Sequence, residues 1–323
     1  MKQFDFEAIF NYYSDDPYIF TPSVLEDFKN EDIELPDNYN IYFITWTNRA
    51  WFLVDSLTFD NKRNIVQICI VIMNQYDRNI MCVQFEVPNE VKSIEVSDFP
   101  HKYLIFKNSK NEEIQTFHIH DFLLKHTSIL FEVLYIGRSY GVKKKLNIVD
   151  RLYNQNHKAL KSILMNITEL NPDKEALIMA FNFRHKQKIF STGFEYFEST
   201  YEREKKRINA FNEMHIPRKI EVDIIEEILI NYFRPKYNNY LKHSIDALNT
   251  KAARFFVGVD ISGLVVEFAT KETGVHLYTD IVPPKRIHLI NIPMFKDESR
   301  LVPFNESDIE SSRKKNIDFY LDM

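Results

Sequence analysis

Apolar and polar positions along the chain fall into three regimes. From about residue 41 to residue 116, short apolar runs are broken by polar turns: Ile41–Trp46, Trp51–Leu57, Ile65–Met73, Ile80–Phe85, Tyr103–Phe106 and Ile114–Phe117. Their alternation and β-branched content predict strands, spaced as in an antiparallel sheet or half-barrel. The middle of the chain mixes periods. Leu130–Ile136 and Ala176–Phe183 read as strands, while Ile148–Ile167 reads as a helix with Ile148, Leu152, Leu160 and Leu164 on one stripe. Tyr201–Met214 predicts a charged helix, and Val222–Phe233 an amphipathic one stopped by Pro235. After about Ala252 strands return, over Phe255–Val259, Leu264–Phe268, His276–Tyr278 and Ile287–Ile292, before a polar tail or peripheral helix. These regimes divide the chain into a β-rich N-terminal domain (1–111), a mixed domain (112–245) and a β-rich C-terminal region (246–323).

Composition narrows the classes. A chain of 323 residues with 45% hydrophobic and 14% aromatic content has material for more than one core. Six glycines and 12 prolines leave little room for flexible linkers. No stretch approaches the roughly 20 apolar residues that a membrane span requires, and the N-terminus lacks the basic-then-apolar pattern of a secretory signal. Cys69 and Cys82 lie in apolar strand-like runs and read as buried free thiols, which points to a reducing, cytoplasmic compartment.

A net charge of −5 excludes a globally basic nucleic-acid binder. The charge is uneven, however. Between Arg138 and Lys161 stand seven basic residues (Arg138, Lys143, Lys144, Lys145, Arg151, Lys158 and Lys161) against one acid, Asp150. Alone, such a run is a solvated loop. Directly behind a strand that ends in glycine, it is also where a phosphate-binding site needs positive charge.

That strand carries Tyr135-Ile136-Gly137. Downstream lie Arg151, the Ala176–Phe183 run, Glu226 and then Pro235-Lys236-Tyr237-Asn238, with twelve residues from Glu226 to Asn238. In order and spacing these residues, over roughly 112–245, resemble the GIY-YIG nuclease superfamily. The resemblance implies an α+β fold: a small mixed sheet with flanking helices, set here between β-rich N- and C-terminal regions. It also implies a metal-dependent endonuclease acting on nucleic acid, DNA rather than RNA, with Mg²⁺ or Mn²⁺. By the same resemblance Glu226 would hold the metal, Arg151 would clamp the scissile phosphate, and Tyr135 would orient the attacking water or take its proton. Asn238 would hold the glutamate or the backbone beside the site, and His157 is a candidate proton carrier. Arg138, Lys143, Lys144, Lys145 and Lys158 would contact the nucleic acid. A role in bacterial restriction or phage defence follows by association, and the β-rich flanks suit a protein partner or a second copy of the chain.

Helix geometry separates Glu226 from its neighbour. At steps of four and seven, Glu226 shares a strip with Ile230 and Phe233, whereas Glu227 aligns with Asn231 and Arg234 on a solvated strip. A carboxylate among apolar neighbours is costly to ionise unless something positive meets it, and a divalent ion or an arginine such as Arg151 would do so. Mg²⁺ commonly takes one or two protein carboxylates and completes its shell with water and phosphate oxygens.

One element of the family pattern is missing. The first tyrosine, expected about ten residues before Tyr135, would fall in Phe122–His126, and no Gly-Ile-Tyr occurs there. His118 and His120 alternate as if along a strand and offer either a substitute or ordinary half-buried histidines. The alternative reading is therefore a catalytically inactive module that binds nucleic acid or a protein partner.

Overall fold

The computed structural model describes residues 3–30, 35–36, 38–75, 77–126, 129–139, 147–154, 157–191, 198–238, 252, 255–256 and 260–294. In chain order the elements begin with β1 (Phe6–Ser14), β2 (Tyr18–Phe20), α1 (Val24–Lys29), β3 (Ile41–Asn48), β4 (Ala50–Asp60), β5 (Ile65–Asn74) and β6 (Asp77–Glu86). There follow β7 (Ser93–Val96), β8 (Tyr103–Lys107), β9 (Glu113–His118), α2 (Ile119–His126), β10 (Ile129–Arg138), a π-helical turn (Asp150–Asn154) and α3 (Lys158–Leu170). The rest are β11 (Lys174–Phe181), β12 (Phe183–Ser191), α4 (Tyr201–Asn212), α5 (Arg218–Phe233), β13 (Gly263–Ala269), β14 (Val275–Tyr278) and β15 (Ile287–Pro293).

The strands form four sheets, ordered β12-β1-β13-β15, β14-β10-β3-β11-β2, β4-β5-β6 and β7-β8-β9. This corrects the expected fold class. The described residues are 45% strand and 25% helix, a β-rich molecule and not a small α+β domain. Strands from each of the segments 1–111, 112–245 and 246–323 share the five-stranded sheet, through β3, β10 and β14 among others.

β3 is the centre of that sheet, antiparallel to β10 on one side and to β11 on the other. Its residues Ile41 to Thr45 are buried on both faces, as a strand flanked by two layers must be. Alternation sends Ile41 and Phe43 to one core, with Phe131, Val133, Ile136 and the α5 residues Ile225, Leu229 and Phe233. Tyr42 and Ile44 go to the other, with Leu134, Ile148, Leu152, Leu160 and Ile163. α5 is apolar around most of its circumference, and it ends where Arg234 turns left-handed at φ 46° before Pro235.

Several expectations need correction. The helix read over Ile148–Ile167 is broken: the π-helical turn ends at Asn154, and α3 starts afresh at Lys158 with His157 as its N-cap. Glu227, expected on a solvated strip, is only 5% exposed. His118 ends β9 and His120 lies in α2, so the two do not alternate along one strand. Cys69 and Cys82 face each other across β5 and β6 and are joined as a disulfide, which removes the inference drawn from free thiols. Of the strand read over Phe255–Val259, the last three residues lie outside the described residues, as does the polar tail. β12 and β1, the edge strand of the four-stranded sheet and its neighbour, were not read from the pattern at all. Among the described residues, no helix is long and apolar enough to cross a membrane.

Candidate active site

Tyr135 owes its direction to a bulge. The register of β10 against β3 shifts between Val133 and Tyr135, so Thr45 pairs with Val133 and Ile44 with Tyr135, leaving Leu134 as the extra residue. A bulge of this kind re-aims the side chains beyond it. Here it brings Tyr135 to the face of β3 that carries Tyr42 and Ile44.

Gly137 then pairs with Tyr42. A Cβ on Gly137 would lie 2.5 Å from Tyr42 Oη and 2.7 Å from Tyr135 Cε1. Both tyrosine rings therefore rest against the bare backbone of that residue, and any side chain there would push them apart. The ring centroids of Tyr42 and Tyr135 are 6.2 Å apart. His157 packs edge-on to both, at 5.9 and 5.1 Å.

Hydrogen bonds order this trio. Leu160 N–H donates to His157 Nδ1 at 3.1 Å, the capping bond of α3. Burial and the nearby Arg151 charge push His157 down to about 4, so its ring is neutral near pH 7. With Nδ1 accepting, the ring proton sits on Nε2, which donates to Tyr42 Oη at 2.9 Å. Arg151 also hydrogen-bonds the Tyr42 hydroxyl. Burial and the Glu226 charge oppose ionisation of Tyr135, against the Arg151 charge and the Tyr42 hydroxyl, which favour it. Burial raises both tyrosines, Tyr42 further than Tyr135.

On the other side of the sheet end, α5 carries Glu226. Its side chain is 14% exposed, and Arg138 Nε lies 3.1 Å from Oε2. Burial pushes this carboxyl up to about 7, against the pull of Arg138 and Arg151. Tyr42, Tyr135 and Arg151 all feel the Glu226 charge, so the groups form one electrostatic unit. Arg138 also pairs with Asp223, one turn before Glu226.

Asn238 is 8% exposed and mimics a neighbouring strand. Its Oδ1 accepts from Ile136 N–H at 2.9 Å, and its Nδ2 donates to Ile136 C=O at 2.8 Å. Tyr237 N–H reaches Leu134 C=O beside it. The segment after α5 thus fixes the backbone between Tyr135 and Gly137, and these Asn238 bonds go to backbone. Lys158 is exposed at the start of α3. Lys143, Lys144 and Lys145 lie outside the described residues.

Sequence reasoning missed Tyr42. Tyr42 stands far upstream of Tyr135 in the chain, because β4 to β9 and α2 intervene between its strand and β10. The histidines considered as substitutes are elsewhere. His120 Nε2 lies 2.7 Å from Glu175 Oε1, and Glu175 pairs with Thr47 at the far end of β3. Five residues of strand place that end roughly 17 Å from Tyr42. A cavity of about 420 Å³ opens there too, lined by Trp46, Asn48, His120, Lys174 and Tyr278 and by none of the residues around Tyr42.

Among the described residues, no three His, Cys, Asp or Glu side chains cluster as a metal cage. Glu226 and Asp223, two carboxylates one turn apart, could serve an ion that keeps most of its shell as water and phosphate oxygens, in competition with the Arg138 guanidinium that now pairs with both. No family model, curated protein or solved structure matches the chain.

Proposed function

We propose that this protein is a metal-dependent endonuclease that hydrolyses phosphodiester bonds in nucleic acid through a GIY-YIG-type set of residues. The observation that carries the reading is the meeting of Tyr42 and Tyr135 over Gly137, with Arg151 and His157 bonded to Tyr42 and Glu226 coupled to both tyrosines. The resemblance rests on this constellation of side chains, within a β-rich molecule.

Each residue has a task. Tyr135, partly exposed and kept neutral by its burial, orients the attacking water through its hydroxyl. Tyr42, fully buried and bonded to His157, packs beside Tyr135 over Gly137 and fixes where its ring stands. Arg151 presents a guanidinium for the equatorial phosphate oxygens as they gain charge. Glu226 would hold the divalent ion, which supplies charge neutralisation at the phosphate and the leaving oxygen. The resemblance favours DNA as the substrate, met through Arg138, Lys158 and Lys143–Lys145.

Incubation with plasmid, single-stranded DNA and RNA in Mg²⁺ or Mn²⁺ tests the reading. The wild type should cut at least one substrate, and Glu226→Gln and Tyr42→Phe should not. Cleavage that survives Glu226→Gln would sink the assignment. Salt-sensitive binding with no turnover by the wild type would make the protein a binding module instead.

A further inference from the structure

Arg138 grips two carboxylates at once. Its Nη1 meets Asp223, its Nε lies 3.1 Å from Glu226 Oε2, and its side chain is 34% exposed. Asp223 and Glu226 are one turn apart on α5, and Lys219 reaches Asp223 at 3.6 Å from the preceding turn. The pairing with Glu226 is what a buried carboxylate needs when nothing else neutralises it. It also competes with a metal ion for that carboxylate. A guanidinium within hydrogen-bond reach of Oε2 takes up part of the carboxylate's acceptor capacity and repels an approaching cation. Asp223 changes the balance, because it offers Arg138 a second anchor that does not depend on Glu226.

We propose, resting on the reading of Glu226 as a metal ligand, that Arg138 is an exchangeable counter-ion for Glu226, and that Asp223 is the positioning residue that retains Arg138 when a divalent cation displaces it. Without the cation, Arg138 keeps the buried carboxylate neutralised. With it, Arg138 pivots on Asp223, stays at the rim of the site and turns its freed N–H groups to a phosphate oxygen of the substrate. One arginine thus serves the empty and the loaded site in turn.

Mn²⁺ binding without nucleic acid, read from loss of the free-ion paramagnetic resonance signal, tests the exchange separately from cleavage. Arg138→Gln should bind Mn²⁺ about tenfold tighter than wild type or more, while cleaving more slowly. Arg138→Lys should fall between them, and serves if the glutamine variant fails to fold by circular dichroism. Asp223→Asn should bind several-fold more weakly, and most of that effect should vanish when Arg138 is already glutamine, since Asp223 acts through it. If Glu226→Gln abolishes Mn²⁺ binding but neither Arg138 variant binds more tightly than wild type, the exchange is overturned and the metal assignment stands. If Mn²⁺ binding ignores Glu226→Gln, the assignment fails and the exchange falls with it. If Asp223→Asn weakens binding equally in both backgrounds, Asp223 acts on the ion directly and its positioning role is overturned.

Discussion

Tyr42 Oη lies 2.9 Å from His157 Nε2, joining the second residue of β3 to the N-cap of α3 across 115 residues of sequence. The bond ties the hydroxyl of a fully buried tyrosine to a helix terminus, and that tyrosine stands beside Tyr135 over Gly137. The tautomer of one histidine, chosen by the Leu160 amide, thereby holds the Tyr42 phenol.

Loss of either hydroxyl should therefore cost catalysis more than stability. Tyr42→Phe and Tyr135→Phe should each lower the cleavage rate by about 10²- to 10⁴-fold, the range for removing a positioned acid–base group. His157→Ala should cost less, because Arg151 still engages Tyr42. Single-turnover rates beside thermal unfolding curves separate the two effects.

Gly137→Ala should disturb both phenols together. Its methyl group would enter 2.5 Å from Tyr42 Oη and 2.7 Å from Tyr135 Cε1, a space neither ring can share. Overpacking of this kind costs about 1–3 kcal/mol. Urea unfolding should show a loss of that size, with a fall in cleavage matching the tyrosine variants. An unchanged cleavage rate would mean the two rings do not need their present contact.

Asn238→Ala should strand the Ile136 amide and carbonyl. Each buried group left without a partner costs about 1–3 kcal/mol. Asn238→Asp should fare no better, since a carboxylate can accept from Ile136 N–H but cannot donate to its carbonyl. Differential scanning calorimetry of the two variants checks this, and a melting temperature unchanged in both would rule out the strand-like role.

Acid should weaken the fold before most carboxylates titrate. Burial holds His118 at about 3 and His157 and His288 at about 4, against an ordinary value of 6.5. Between pH 6.5 and 4 the unfolded chain therefore binds up to three more protons at these positions than the native one, and stability falls as pH falls. Glu226 opposes this. Raised from 4.5 to about 7, it takes up a proton in the native state first, so its protonation stabilises as pH falls through that window. Denaturant midpoints should drop from pH 7 to pH 4.5, and Glu226→Gln should steepen the drop. A variant with a shallower decline than wild type would contradict the raised value.

Much of the site was legible in local pattern. Tyr135-Ile136-Gly137 stood out because a β-branched run met a glycine, and Glu226 because helical spacing set a carboxylate beside apolar neighbours. Pro235 marked the end of α5, and Asn238 followed at a fixed interval because a single left-handed turn joins the two. Glu227 was misplaced because periodicity finds a helix face but not what packs on it, and α5 is surrounded on most sides.

The sequence by itself determined the strands β3 to β6, β8 to β11 and β13 to β15, the helices α4 and α5, and the identity of Tyr135, Arg151, His157, Glu226 and Asn238 as candidates. The elements follow from interactions within a few turns or one strand, which a chain displays in its order, and the candidates from the resemblance that those residues carry. Only the tertiary structure decided that Tyr42 is the partner of Tyr135, that Arg138 sits on Glu226, and that the molecule is β-rich. Strand pairing joins residues separated by any length of chain, and its register is set by which faces the cores bury. The distance from Tyr42 to Gly137 along the backbone therefore carries no trace of their contact in space.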